Sequence, residues 1–438
     1  MIVPTPIDTL MLNPLLDTLA EDVMGFLNEI QLNYPQALSL ASGRPDENYF
    51  NIEEFPDYFG IYVDWLATAS GQNPEKVRKS LGQYNRAKGI INDLVVRYLA
   101  KDEQIKVAPE DTLITVGTQE AMVITITTLC NRDNDVILIE DPAYVGISHL
   151  AIIAGYQVAP VPVGEQGISL PKLEEKILAC QAQGKTVKLV YVIPDYQNPT
   201  GNAMPIENRR RLLQLADTYG FLILEDNAYG EFAYQANSPL TLKALDVNKR
   251  VIYLRSLSKT LYPSLRLGVL VADQQIEHGG KLTALSDLLA KTKGYITVNT
   301  PSITQAVFGG ILVKNNFSLK KINAPKIAAI KAKRDQLLAS LNENLTGENN
   351  AWARDISWST PQGGFFLTVS VPFTVAKEEV IICAENHGMI FTPMSFFYLS
   401  KGGGQQIRLA FSNVSKEEIK DAVHRLASYF KTKINLTK

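Results

Sequence analysis

Six short apolar runs recur between residues 113 and 271: Leu113–Val116, Val136–Ile139, Leu189–Ile193, Phe221–Leu224, Val251–Leu254 and Gly268–Val271. They are rich in β-branched residues. Most are separated by helix-length segments such as Gln119–Leu129 and Pro205–Tyr219. Strands apolar on both faces that alternate with helices predict an α/β fold with a mostly parallel sheet covered on both sides. Ligands of such sheets bind beyond the carboxyl ends of the strands. The chemistry is therefore to be sought in the residues that follow each run.

The chain has 438 residues, more than the ~300 that one core usually supports, so two domains are expected. Residues 60–310 read as a large domain. Beyond it come a long helical pattern (Ala324–Leu341), a strand-like Gly364–Val371 and an amphipathic helix near Glu417–Phe430. These predict a smaller α+β domain over 311–438, joined by residues 1–59. In that N-terminal part Leu16, Leu19, Val23, Phe26, Leu27 and Ile30 recur at helical spacing, ending before Pro35. The loop Ser42-Gly43-Arg44-Pro45-Asp46 follows.

Several functions lose support on composition. The net charge of −2 gives no electrostatic reason to expect nucleic acid or an anionic membrane as partner. The densest basic run, Lys320 to Arg334, interleaves with Ile322, Ile327 and Ile330 and reads as the solvated face of a helix. Three scattered cysteines and four histidines without HExxH spacing argue against a disulfide framework or a zinc site. No Lys or Arg precedes the first apolar residues, and no apolar run approaches the ~20 residues that span a bilayer. The expectation is a cytoplasmic, metal-free protein. No G-x-G-x-x-G or G-x-S-x-G occurs, and Gly184-Lys185-Thr186 lacks the upstream glycine of a Walker loop because Ala179 stands there.

The strand ends carry the informative residues. Gly117-Thr118-Gln119 follows the first run at a helix start, where free N–H groups attract phosphate. Asp141-Pro142-Ala143-Tyr144 places an aromatic ring at the mouth of the sheet, where it can stack on a planar ligand or simply pack. The turn Asn198-Pro199-Thr200-Gly201 fixes the direction of the Asn198 amide. Glu225-Asp226-Asn227-Ala228-Tyr229 brings a carboxylate into an apolar neighbourhood, which calls for a cationic partner. Last comes Arg255-Ser256-Leu257-Ser258-Lys259-Thr260, then Pro263-Ser264-Leu265-Arg266. A free lysine is a poor nucleophile at neutral pH, but condensed with an aldehyde it becomes useful. A planar aromatic aldehyde with a ring nitrogen and a phosphate accounts for all five sites. That ligand is pyridoxal 5′-phosphate.

The pattern S-x-S-K-x-x-x-P-x-x-R, with N-P-T-G and E-D-x-x-Y upstream, resembles the class I/II aminotransferases, pyridoxal phosphate enzymes of fold type I. PDYQNPTG and the SGRPD loop are similar to the branch with aromatic and 2-aminoadipate aminotransferases. The resemblance covers nearly the whole chain. It implies that Lys259 holds the cofactor and shuttles the substrate proton, that Asp226 pairs with the ring nitrogen, and that Asn198 and Tyr229 bond the ring oxygen. It further implies that Tyr144 stacks on the ring, and that Ser256, Ser258, Arg266 and the start Gly117-Thr118-Gln119 bind the phosphate. Arg408 matches the arginine that clamps the substrate α-carboxylate, with the Gly43 backbone closing over it. Tyr84 matches a tyrosine that reaches the partner subunit's phosphate, which implies a homodimer with shared active sites.

The reaction so implied moves an α-amino group from an L-amino acid to a 2-oxo acid, with 2-oxoglutarate the expected acceptor. Two departures, Asn85-Arg86-Ala87-Lys88-Gly89 after Tyr84 and Ser264 before Leu-Arg, bear on substrate and reaction. A lyase, decarboxylase or amino-acid oxidase on the same fold is the alternative. A non-catalytic sensor is a third reading, disfavoured because one N-terminal helix is too short for a DNA-binding module. Arg44 could read a distal carboxylate, and Lys291, Lys293 or Tyr295 could line the entrance from a partner subunit; each could equally be exposed or packing. The roles of Arg86 and Lys88 are open at this level.

Overall fold

The computed structural model describes residues 13, 15–16, 23–235 and 239–437. The N-terminal helix α1 covers Val23–Asn33; Leu19, expected on its apolar face, lies outside the described residues. The first sheet and its helices then follow in chain order: β1 Thr112–Val116, α2 Gly117–Leu129, β2 Asp135–Asp141, α3 Val145–Ile153, β3 Gln157–Gly164 and the short β4 Gly167–Ile168. They continue with β5 Thr186–Val192, α4 Ile206–Tyr219, β6 Leu222–Asn227, β7 Val251–Ser256 and β8 Leu267–Val271.

The strand order is β1-β8-β7-β6-β5-β2-β3-β4. From β7 through β6, β5 and β2 to β3 all pairs are parallel. Every residue of β2 and β7 is buried, as double coverage requires, and this is why those segments read as continuous apolar runs. Two strands depart from the parallel pattern, the short edge strand β4, antiparallel to β3, and β8. β8 is antiparallel to both β1 and β7, so it starts at the rim where its neighbours end. β3 carries no continuous apolar run because Pro160 and Pro162 interrupt it. Prolines are tolerated near a sheet edge, and beyond β3 lies only the two-residue β4.

Helices α5 (Leu285–Ile296) and α6 (Ser302–Lys314) lead to the long α7 (Lys320–Leu345). A second, four-stranded sheet follows, with β9 Ser357–Trp358, β10 Phe366–Ser370, β11 Thr392–Pro393 and β12 Gln406–Ala410 in the order β9-β10-β12-β11. The C-terminal helix α8 is Lys416–Thr437. Leu337 and Leu341 of α7 and Val423, Leu426 and Phe430 of α8 pack with Phe366, Leu367 and Leu409 of this sheet in one apolar core.

The basic run on α7 is not a purely solvated face. The buried side of the helix runs through Asn323, Ile330, Lys333, Arg334, Leu337 and Leu341. Lys333 meets Asp46 at 2.6 Å and donates to the Ser412 carbonyl at 3.0 Å. Lys326 donates to the Thr260 carbonyl at 2.7 Å. Long basic stems here cross apolar surface to reach fixed acceptors, and apolar spacing read from Ile322 and Ile327 alone misses this.

The N-terminal strand segment completes the frame. Leu38 and Ser39 pair with Met389 and Ile390, and Ala410 N–H donates to the Leu40 carbonyl. Residues 38–41 are thereby bound to the second sheet, which directs Ser42–Asp46 toward the rim of the first. Among the described residues no helix is long and apolar enough to cross a membrane.

Candidate active site

The register places the ends of β5, β6 and β7 side by side, with Val192 opposite Glu225 and Asp226 opposite Leu254. Strand alternation separates the two carboxylates of β6. Glu225 turns to the other face and accepts the N–H groups of Leu242 and Lys243, both at 2.8 Å. Asp226 is buried, and its Oδ2 accepts the Tyr191 hydroxyl at 2.8 Å. Its Oδ1 has no partner among the described residues. Burial pushes the Asp226 carboxyl up to about 6 against the lowering effect of the Tyr191 bond.

Above Asp226 the loop after β5 is rigidly tied. Glu140 at the end of β2 accepts the Ile193 N–H at 3.0 Å and the Gln197 amide at 2.7 Å, while the Gln197 Oε1 accepts from Thr200 at 2.7 Å. Asp195 pairs with the fully buried Arg209 of α4. These contacts fix Asn198, whose Oδ1 accepts from Arg408 at 2.7 Å and whose side chain also hydrogen-bonds Tyr229. Burial holds the Tyr229 phenol above its ordinary range. Its ring meets Phe365 and Phe366 edge-on at 5.4 and 5.5 Å.

The connection from β7 to β8 carries Lys259 and ends at Arg266. Lys259 Nζ donates to the Gly43 carbonyl at 2.9 Å. Desolvation, with the positive charges of Arg408, Arg266 and Arg44, pushes the amine down to about 8. Acylation of the cofactor-free protein, read by mass spectrometry at increasing pH, is expected to reach half-maximal reactivity at Lys259 near pH 8. A midpoint at the usual lysine value of about 10.4 would contradict this.

Arg266 has φ 49°, and its Nη1 lies 3.4 Å from Ser258 Oγ. The buried Ser256 receives the Ser258 N–H, also at 3.4 Å. Gly117 opens α2 at φ 71°, and a Cβ there would lie 2.5 Å from Arg266 Nη2, so the helix start and the guanidinium are in direct contact. Thr118 shares that start. Gln119 instead donates to the Gly146 carbonyl at 3.0 Å and accepts from the Tyr144 hydroxyl at 3.4 Å, which fixes the Tyr144 ring.

Arg408 lies on β12 opposite Thr368 and Thr392. Its Nη2 donates to the Ala41 carbonyl at 2.7 Å and to Thr392 Oγ1 at 3.3 Å. The guanidinium sits 4.4 Å from the Phe366 ring centre and 4.6 Å from that of Phe397. Its Nε has no partner among the described residues, and desolvation pushes the group down to about 10. Gly43 completes this wall, since a Cβ there would lie 2.4 Å from Phe366 Cζ.

The structure thus brings together Gly43, Gly117, Thr118, Gln119, Tyr144, Asn198, Asp226, Tyr229, Ser256, Ser258, Lys259, Arg266 and Arg408. Tyr84 is not among them; it is 82% exposed on this chain. Lys293 does not line an entrance, because it is fully buried against Glu120. Arg44 bonds Asn28 at 3.1 Å, and Lys88 pairs with Asp287 at 2.6 Å. Sequence reading passed over Tyr191, Glu140 and Thr392. A tyrosine or glutamate inside an apolar strand run is itself a signal, since its polar end must find a partner.

An unpaired carboxylate oxygen at Asp226 and an unpaired guanidinium N–H at Arg408 suit a protonated ring nitrogen and a carboxylate. The donor set therefore fits pyridoxal phosphate carrying an amino acid. The profile of the family "Aminotransferase class I and II" matches residues 76–426. The (S)-3,5-dihydroxyphenylglycine transaminase of Amycolatopsis orientalis is 42% identical over 405 residues, covering 92% of this chain and 90% of that protein. Aromatic-amino-acid aminotransferase 1 of Thermococcus litoralis is 30% identical, covering 90% and 88%. The crystal structure of Pyrococcus horikoshii kynurenine aminotransferase superposes with a TM-score of 0.80 at 29% identity, covering 95% and 96%. The chain belongs to the class I and II aminotransferases of fold type I, and it is a pyridoxal phosphate-dependent enzyme of amino-group transfer.

Proposed function

We propose that this enzyme transfers the α-amino group of an L-amino acid with an aromatic side chain to a 2-oxo acid, with 2-oxoglutarate as acceptor. One observation carries the reading. Lys259 and Arg408 are held by carbonyls of the same extended segment, Gly43 and Ala41, at 2.9 and 2.7 Å. An amino acid bound by its carboxylate at Arg408 therefore presents its amino end to Lys259. The aromatic preference draws on the names of the relatives and on Phe366, Phe397 and Tyr229 around the guanidinium.

When bound, pyridoxal phosphate supplies an electron-accepting ring conjugated to the substrate nitrogen. Lys259 holds it covalently and then moves the proton at the substrate α-carbon, a task suited to an amine titrating near neutrality. Asp226 keeps the ring nitrogen protonated. Asn198 and Tyr229 hydrogen-bond the ring oxygen, and Tyr144 covers the ring face. Ser256, Ser258, Arg266 and the start of α2 take the phosphate, Arg266 through paired N–H donors. Arg408, backed by Asn198, fixes the carboxylate and so orients the Cα–H bond, while the Gly43 backbone excludes water above it.

In this reading residues 60–310 form the cofactor domain, and residues 1–59 and 311–438 the smaller one. The enzyme is a homodimer. Tyr84, Tyr295, Val298 and Ile303 expose large apolar side chains, and Asn85 is joined to Ser302 at 2.9 Å, so these exposed groups lie on connected segments that a second copy can cover. Tyr84 then reaches the partner's phosphate. Three unpaired thiols suit a reducing, cytoplasmic setting.

The test is the absorbance of the cofactor-loaded protein during anaerobic addition of single L-amino acids without an oxo acid. Aromatic donors are expected to bleach the band of the lysine-bound cofactor, and 2-oxoglutarate to restore it. Turnover that needs oxygen, or that releases CO₂, would replace this reading with an oxidase or decarboxylase.

A further inference from the structure

Glu120 is the fourth residue of α2, the helix whose start touches Arg266. It is buried, and its Oε2 accepts the Val116 N–H at 2.6 Å. The carboxylate is thus held one peptide before Gly117. Such a carboxylate braces the helix start by satisfying a free N–H and complementing the helix dipole. It also places a negative charge beside the donors that collect a phosphate, and the two anions repel.

Lys293 of α5 answers that charge. Its Nζ lies 3.1 Å from both Glu120 oxygens and donates to Thr297 Oγ1 at 2.8 Å. Thr297 in turn donates to Glu120 Oε1. Lys293 is fully buried, and a buried ammonium is costly unless it is paired and hydrogen-bonded. A Gln–Met pair would fill the same space without that cost, so the fold alone does not call for the ions.

We propose that Lys293 is a positioning residue that cancels the charge of Glu120, letting the carboxylate brace the phosphate-binding turn without repelling the cofactor phosphate. The inference rests on placing the phosphate at Arg266 and the start of α2. Its readout is the preference of the cofactor-free protein for pyridoxal 5′-phosphate over phosphate-free pyridoxal, from the two dissociation constants.

Lys293→Met is expected to lower that preference by roughly tenfold or more, and Glu120→Gln to raise it. The double variant K293M/E120Q should return to the parent preference. Shifts in the same direction, or no shift in either single variant, overturn the proposal. If Lys293→Met does not fold, the rise in Glu120→Gln decides alone. Arg266→Ala separates the two levels of the argument. An unchanged preference in that variant rejects the phosphate placement itself. A lowered preference there, with Lys293→Met and Glu120→Gln both silent, rejects only the charge balance.

Discussion

Lys259→Ala is expected to lower kcat for transamination by about 10,000-fold or more, because the residue proposed as both covalent anchor and proton carrier is lost. After borohydride reduction its mass spectrum should lack the cofactor adduct found in the parent protein. An adduct that persists would place the anchor on another lysine. The fold should survive the change, since Lys259 is only partly buried and its side chain hydrogen-bonds, among the described residues, to the Gly43 carbonyl. Its ammonium faces the positive charges of Arg408, Arg266 and Arg44. The amine titrates lower in the folded protein than in the unfolded chain, so the charged form opposes folding. That cost is complete below about pH 8 and fades as pH rises toward 10.5. The cofactor-free variant should therefore melt above the parent at pH 7, and the gap should close on the alkaline side.

Arg408→Leu is expected to lower kcat/KM for amino acids by about 100- to 1,000-fold, roughly 3–4 kcal/mol, the scale of two charge-assisted hydrogen bonds. Leucine suits the space between the Phe366 and Phe397 rings. The change nonetheless leaves the Asn198 Oδ1 without its Arg408 donor, at about 1–3 kcal/mol, while the Ala41 carbonyl keeps the Thr392 hydroxyl at 3.3 Å. Stability should fall as well, seen as a lower urea midpoint. A substrate separates the two effects. The slow reaction of a primary amine without a carboxylate should be unaffected, whereas equal losses with amine and amino acid would show that Arg408 only props up the wall. Arg408→Lys keeps a charge but loses the planar pair of donors, so it should recover only part of the activity.

How much of this was legible depends on sequence distance. Asp226 and Lys259 stand out as candidates because each comes at or just after the end of a strand run, where a charged group has few structural uses. The direction of β8 was also within reach. Only residues 257–266 separate β7 from β8, too few for the crossover that parallel neighbours need. The contacts that assemble the site were not legible. Gly43 meets Lys259 across 216 positions, and Arg408 meets Ala41 across 367. No local pattern encodes such pairs; family resemblance supplied Arg408 and Gly43, and the chain's own periodicity did not. Lys293 shows the converse. In sequence it reads as an entrance-lining, exposed or packing residue, and only the packing of α5 on α2 reveals Glu120 as its partner, 173 positions earlier.

The reversed direction of β8 also bears on how such an enzyme can diversify. Because the chain reaches the rim on β7 and leaves it on β8, Lys259, Ser258 and Arg266 travel together in one stretch of ten residues, 257–266, clamped at both ends by paired strands. An insertion there would part the lysine from the arginine. The wall around Arg408 is assembled from remote pieces instead: Ala41 and Gly43, Asn198, Phe366, Thr392 and Phe397. Each of those pieces can drift on its own. The proposed cofactor anchor is thus local in the chain, whereas the proposed substrate wall is spread along it.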